Sequence, residues 1–171
     1  MFGAKFHREL VDNVRALRRY ATVLCGSTSD AEELVQDTLV KALENSHSWD
    51  SSRDLRKWLF AIMHNAFVSK LRRRQTQQRV VSLQTDAMRQ HSEPNQLAHL
   101  ELSETLQALY ELPDEQKEAV ILISLEGMNY EDAAKLLEIP IGTLMSRLAR
   151  GREALRDATH RQSRQQLRSV K

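Results

Sequence analysis

Apolar positions in the first part of the chain recur at helical intervals. Leu10, Val14, Leu17, Ala21 and Leu24 are spaced so that they share one helix face, and Cys25-Gly26 supplies a C-terminal stop. Ser29 followed by Glu32 reads as a capping box that opens a second helix. Its apolar stripe is Ala31, Leu34, Val35, Leu39, Ala42 and Leu43, and its opposite face carries Glu33, Gln36, Asp37 and Val40. Residues 45–52 lack periodicity and are rich in turn and cap formers, which predicts a loop. Leu55, Trp58, Leu59, Ile62, Met63, Ala66, Phe67 and Leu71 then form a broad stripe, as expected of a helix packed against two neighbours. That helix is expected to run out in Leu71, Arg72, Arg73 and Arg74.

Beyond it the pattern changes. Residues 76–96 mix Gln, Ser, Thr and Asp with Glu93-Pro94-Asn95 and read as a flexible, extended linker between two domains, residues 1–75 and 97–158. Leu97, Leu100, Leu106, Leu109 and Leu112 resume helical spacing, and Pro113 marks a restart with proline in the first turn. Residues 119–123 are uniformly apolar. Because residues 115–118 lead into them without a turn, they are expected to form a buried helix. Gly127 ends that helix and Asn129 can cap the next, which holds Ala133, Ala134, Leu136 and Leu137. After a tight turn, Leu144, Leu148, Gly151 and Leu155 define the inner stripe of a last helix. Residues 159–171 form a polar, basic tail expected to fray. The fold class is all-α: two small helical domains, a linker, and a C-terminal helix-turn-helix.

Composition agrees with helices, since five glycines and three prolines leave little material for turns. The single cysteine, Cys25, excludes an internal disulfide framework and fits a reducing cytoplasm. Neither a secretory segment nor a membrane-spanning apolar run is present, so a soluble cytoplasmic protein without membrane insertion is expected. The formal charge of +2 conceals segregation: between Arg53 and Arg79 the cations are opposed only by Asp54, whereas acids dominate from Glu93 to Glu138 and the chain turns basic again from Arg147. Two separated basic segments suggest two contacts with a polyanion; solvated helix faces would give the same pattern.

The last two helices have the layout of a DNA-reading helix-turn-helix. With Leu144, Leu148, Gly151 and Leu155 inward, Met145, Ser146, Ala149 and Arg150 turn outward. Arg147, Arg150, Arg152 and Arg156 make that helix basic, which a plain helical hairpin would not require.

These residues carry a family resemblance. Tyr130-Glu131-Asp132-Ala133-Ala134 followed by Ile139-Pro140-Ile141-Gly142-Thr143-Leu144-Met145-Ser146-Arg147-Leu148-Ala149-Arg150-Gly151-Arg152 is similar to the promoter-reading motif of extracytoplasmic-function sigma factors. Asp30-Ala31-Glu32-Glu33-Leu34-Val35-Gln36-Asp37-Thr38-Leu39-Val40-Lys41-Ala42 resembles their polymerase-binding helix, and Trp58-Leu59-Phe60-Ala61-Ile62-Met63-His64-Asn65 their melting helix. The resemblance spans both domains in the family's order.

It implies an alternative sigma factor with core RNA polymerase, through the largest-subunit clamp and the β flap, and promoter DNA as partners, and with an anti-sigma factor as its restraint. Glu33, Gln36, Asp37 and Val40 would meet the clamp. Trp49, Asn65, Lys70, Arg72, Arg73 and Arg74 would serve the −10 element, with Trp49 either stacking on an extruded base or folding onto the core. Ser46, His47 and Ser48 would add hydrogen bonds, while Trp58, Phe60 and Phe67 are assigned to the core. Thr143, Met145, Ser146, Arg147, Ala149 and Arg150 would serve the −35 element. Met145 departs from the Lys or Arg common there, and Ser69 from a common acid or amide. The first helix, with Leu10-Val11 and Leu24-Cys25-Gly26, resembles the subgroup serving general stress responses.

No glycine-rich phosphate loop and no metal-spaced Cys or His pair occurs, so neither catalysis nor a cofactor is expected. An alternative is a helix-turn-helix regulator that acts without entering polymerase. It needs the C-terminal motif but gives no role to Gln36 and Asp37.

Overall fold

The computed structural model describes residues 3–50, 52–82 and 104–169, and all regular structure among them is helical. The chain divides into two compact units.

The first unit is built on α1 (Ala4–Cys25) as far as Thr22, α2 (Thr28–Glu44) and α3 (Leu55–Ser82). Gly26, at φ 65, closes α1 in the left-handed conformation that glycine adopts without a side-chain clash. The chain re-enters a helix sooner than the sequence suggests. Ser27, not Ser29, is the cap: its backbone is extended and its hydroxyl accepts the Asp30 N–H at 3.5 Å. Glu32, freed from the expected capping box, instead pairs with Arg18 at 3.1 Å.

The buried face of α2 also differs from expectation. It comprises Ala31, Leu34, Val35, Thr38 and Ala42, whereas Leu43 is exposed. Thr38 tolerates complete burial because its hydroxyl donates to the Leu34 carbonyl at 2.7 Å. α3 packs on α2 and buries Leu55, Leu59, Phe60, Met63, Ala66 and Phe67, and Phe6, Leu10, Leu17 and Tyr20 of α1 are buried as well. The Tyr20 and Phe60 rings meet at 5.1 Å.

α2 ends at Asn45 and passes through one tight turn, Ser46–Ser48. There the Ser46 hydroxyl donates to the Leu43 carbonyl at 2.5 Å and the Ser48 hydroxyl to the Asn45 carbonyl at 2.6 Å. Asp50 then accepts the Ser52 N–H and hydroxyl at 2.9 and 2.8 Å. These two bonds, with the Arg53 charge, hold its carboxyl below the ordinary value. Asp54 caps α3 by accepting the Arg56 N–H at 2.9 Å.

α3 does not stop at Arg74. It continues to Ser82, so residues 76–82, assigned to the linker from sequence, are helical. The stretch contains good helix formers and neither glycine nor proline, and Thr76 bonds back to the Arg72 carbonyl at 3.0 Å. The rest of the expected linker, with Leu97 and Leu100, lies outside the described residues.

The second unit contains α4 (Glu104–Glu111), α5 (Asp114–Val120), α6 (Tyr130–Leu136) and α7 (Ile141–Ser169), with α7 packing on the other three. Pro113 is the N-cap of α5 rather than part of its first turn. The apolar run after it is helical and buried through Leu122, and it widens into a π turn, Ile121–Leu125. Gly127, at φ 65, ends this segment, and Asn129 caps α6 by accepting the Asp132 N–H at 2.8 Å, both as the sequence predicts.

The turn between α6 and α7 closes with paired hydrogen bonds, Ile139 N–H to the Ala134 carbonyl at 3.0 Å and Glu138 N–H to the Lys135 carbonyl at 3.2 Å. This motif requires a left-handed residue. Glu138 supplies it at φ 54, a conformation that strains any side-chain-bearing residue. Where α7 crosses α5, Gly151 is buried, and a Cβ there would lie 2.7 Å from Val120 Cγ2 and 3.3 Å from the Gln116 carbonyl oxygen. Glycine therefore sets how closely these helices approach. The expected frayed tail is instead a continuation of α7 to Ser169.

Candidate nucleic-acid interface

In the second unit the core fixes the rotation of α7. Leu144 is fully buried and Leu148 nearly so, which turns Met145, Ser146, Ala149 and Arg150 to solvent as the sequence predicts. Thr143 is half-buried. Ser146 donates its hydroxyl proton to the Thr143 carbonyl at 2.9 Å, so its oxygen remains available to accept.

The basic cluster on α7 is not uniformly free. Arg147 reaches back to Glu115 at 2.9 Å with only 22% of its side chain exposed, and Arg152 donates to Ser124 at 3.1 Å. Arg147 is thus a brace between α7 and α5 rather than an outward contact. Arg150 and Arg156 are exposed and have no ion pair among the described residues.

In the first unit, α2 presents Gln36, Asp37 and Val40 together on its outer face, and Leu43 extends it. Glu33 is set apart from this group. It binds Lys70 at 2.5 Å, while Asp30 lies 3.5 Å from Lys70 and 3.1 Å from Arg74. Burial lowers the Lys70 pKa, but the Glu33 hydrogen bond and the charges of Asp30 and Glu33 outweigh it, so the net shift is upward. Four side chains assigned from sequence to separate polymerase and DNA roles, or to none, are therefore one ionic cluster between α2 and α3. Arg72 and Arg73 are exposed and stand outside it.

Trp49 does not offer a free stacking face. Its ring lies 5.3 Å from that of Phe6, and its Nε1 is buried without a hydrogen-bond partner among the described residues. Of the two roles open to it, the geometry favours the core one. The aromatic wall of a site lies elsewhere, at Trp58.

Trp58, Ile62, Asn65, Ala66 and Ser69 follow one face of α3, and with Lys41, Asn45 and Ser48 they line a groove of about 340 Å³. Its apolar floor is Trp58, Ile62 and Ala66, and its rim is the Lys41 ammonium, two amides and two hydroxyls. Most of the rim is already oriented: Asn45 donates to the Lys41 carbonyl at 2.8 Å, Ser48 to the Asn45 carbonyl, and Ser69 to the Asn65 carbonyl at 2.7 Å. The exposed Asn65 amide brings both a donor and an acceptor to the rim. Sequence reasoning identified Asn65 and Ser48 but missed Lys41 and Asn45 and assigned Trp58 and Ile62 to the core. The signal was present, since these α3 positions share a helical face with Asn65.

Two family models match the two units separately, the Sigma2 domain of PhyR over residues 10–64 and Sigma-70, region 4 over residues 102–155. The chain is 39% identical over 147 residues to the ECF RNA polymerase sigma factor EcfG of Rhodopseudomonas palustris, covering 86% of this chain and 81% of that protein. It is 27% identical over 144 residues to the ECF RNA polymerase sigma factor SigW of Bacillus subtilis, covering 78% and 77%. Among solved structures it resembles the sigma factor RpoE of Bartonella quintana, crystallised in complex with the anti-sigma factor NepR. The TM-score is 0.76 at 36% identity, over 92% of this chain and 98% of that one.

Proposed function

We propose that both units read one promoter while seated on RNA polymerase, and the premise is membership: the chain belongs to the extracytoplasmic-function family of RNA polymerase sigma factors. As a sigma factor it binds core polymerase and directs promoter-specific initiation. It acts in the cytoplasm as an initiation factor, not an enzyme, and no described helix is long and apolar enough to cross a membrane.

The outer face of α2, with Gln36, Asp37, Val40 and Leu43, docks on the clamp of the largest subunit. An exposed acid and amide complement basic clamp helices, and the two apolar side chains add contact area. The second unit engages the β flap and lays the start of α7 in the −35 major groove, with Ser146 and Arg150 toward base edges and phosphates. Arg72 and Arg73 contact phosphates beside the melted −10 segment.

Strand opening has no fuel in this protein, so it is driven by tighter binding of melted than of duplex DNA. One observation carries this reading: α3 bears an open groove of about 340 Å³ that combines an exposed amide, hydroxyls and an ammonium with the Trp58 ring. A base extruded from the −10 strand stacks on Trp58 and is read at its edge by Asn65. A protein that binds only duplex DNA has no use for such a site.

An anti-sigma factor restrains the protein until a stress signal arrives; the Bartonella relative was solved bound to a partner of that kind. The test is run-off transcription with purified core polymerase. Stimulation at a subset of promoters is expected, and its loss in Asp37→Ala together with loss of core capture confirms the docking face. Sequence-specific duplex binding without any stimulation of core would overturn the reading in favour of a regulator that works outside polymerase.

A further inference from the structure

The reading surface of α7 combines two chemistries. Ile141, Met145 and Ala149 follow one another at four-residue intervals, which places them along a single ridge. Ile141 is 45% exposed and Met145 54% exposed, so the ridge is solvent-facing apolar surface rather than an edge of the core. One exposed apolar side chain needs no explanation. Two neighbours on the helix that also bears Ser146 and the exposed Arg150, which has no ion pair among the described residues, call for a partner that is both polyanionic and locally apolar.

The DNA major groove meets that description. Its phosphates suit Arg150, and the thymine C5-methyl is the apolar group among its base edges. The small Ala149 lets the backbone approach closely. Arg147 and Arg152 are engaged with Glu115 and Ser124, and the exposure of Ile141 and Met145 leaves their side chains open to a partner.

We propose that this sigma factor reads thymine methyl groups in the −35 element through the Ile141–Met145–Ala149 ridge, with Met145 as the specificity-determining residue. The proposal rests on the −35 reading of α7 given above. Met145 suits the role because its unbranched, polarisable thioether adapts its shape to a small apolar group. Discrimination arises because the same side chain opposite cytosine, adenine or guanine faces polar edges that it cannot satisfy.

Holoenzyme formed from the full chain and core polymerase selects −35 sequences from a randomised duplex library. Each thymine of the selected duplex is then replaced singly by deoxyuridine, which lacks only the methyl group. Replacement at one or two positions is expected to weaken wild-type binding roughly fourfold, the worth of one methyl group removed from water. Met145→Ala holoenzyme should bind the thymine and deoxyuridine duplexes alike, and Met145→Leu should retain part of the preference. Indifference of the wild type to every replacement would overturn the proposal. An undiminished preference in Met145→Ala would do so as well. Equal weakening of both duplexes by Met145→Ala would assign the ridge to a protein contact and also reject it. Failure of the underlying reading looks different: wild-type holoenzyme would select no −35 sequence, or Arg150→Ala would lose nothing, and the methyl proposal would fall with it.

Discussion

In the proposed reading the two units grip DNA with surfaces of different shape. On the first, helix α3 and the turn after α2 line an open groove whose polar rim is held by bonds to its own backbone. On the second, the candidate surface is a convex helix whose rotation is set from behind by Leu144, Leu148 and Gly151. A convex rod fits a duplex groove but cannot surround one base. A recess can surround a base but has nothing to grip while bases stay stacked. The cations do not divide by unit: Lys70, Arg74 and Arg147 are tied to acids, whereas Arg72, Arg73 and Arg150 are exposed without an ion pair among the described residues. In the proposed reading it is therefore shape that suits one unit to single strands and the other to duplex.

The comparison breaks most visibly at Gly151. Gly151→Leu forces side-chain atoms into Val120 and the Gln116 carbonyl, and it should destabilise the second unit by about 3 kcal/mol or more. Urea unfolding of the full chain should then show an early transition, with duplex −35 binding lost and capture of core by the first unit retained. A single unshifted transition would mean that the helix crossing is not set by this residue.

The groove is tested by exchanging its tryptophan for the other one. Trp58→Ala and Asn65→Ala should each slow open-complex formation by about ten- to a hundredfold, corresponding to about 1–3 kcal/mol of lost stacking or hydrogen bonding. Initial closed-complex affinity should change little. Trp49→Ala should instead lower the melting temperature of the first unit, since it removes the packing on Phe6. If Trp49→Ala impairs opening without loss of stability while Trp58→Ala does not, the two roles have been exchanged.

Smaller effects sharpen the contrast. Glu138→Gly relieves the left-handed strain before α7 and should stabilise the second unit by about 1 kcal/mol in urea titration, leaving the first unit unchanged. Asp30→Asn with Glu33→Gln frees Lys70 and Arg74 and should raise non-specific binding to single-stranded DNA by about two- to threefold, with a steeper salt dependence. The native pairing itself should be insensitive to physiological pH. Lys70 has a raised folded pKa, so its contribution is fully present below the unfolded value of 10.5 and is lost only as pH climbs through the higher folded value.

What was legible in the sequence is local. Periodicity located the helices. Glycine and asparagine gave the ends at Gly26, Gly127 and Asn129, and the inner stripe of α7 gave the outward set at Met145, Ser146, Ala149 and Arg150. What was not legible depends on contacts distant in sequence. Glu33 meets Lys70 across 37 residues, and Arg147 turns inward because Glu115 lies on a neighbouring helix. That Trp49 packs on Phe6 while Trp58 lines the groove follows from the path of a loop whose residue types signal only that it turns. Thr38 was missed on α2 because its side chain is polar by type, yet a bond to its own helix lets it behave as core.

Trp49 has one further consequence. Its indole lies against Phe6 with a buried N–H that finds no acceptor among the described residues, while Ser48 just before it forms part of the groove's rim. Lifting that ring would sacrifice packing but rehydrate the N–H, so the clasp that fastens the loop is weaker than its buried area alone suggests. Transient loosening of the loop that carries Ser48, and with it of that edge of the groove, is the expected result. Amide exchange across residues 45–50 faster than on the flanking helices would record that motion, and equal protection would exclude it.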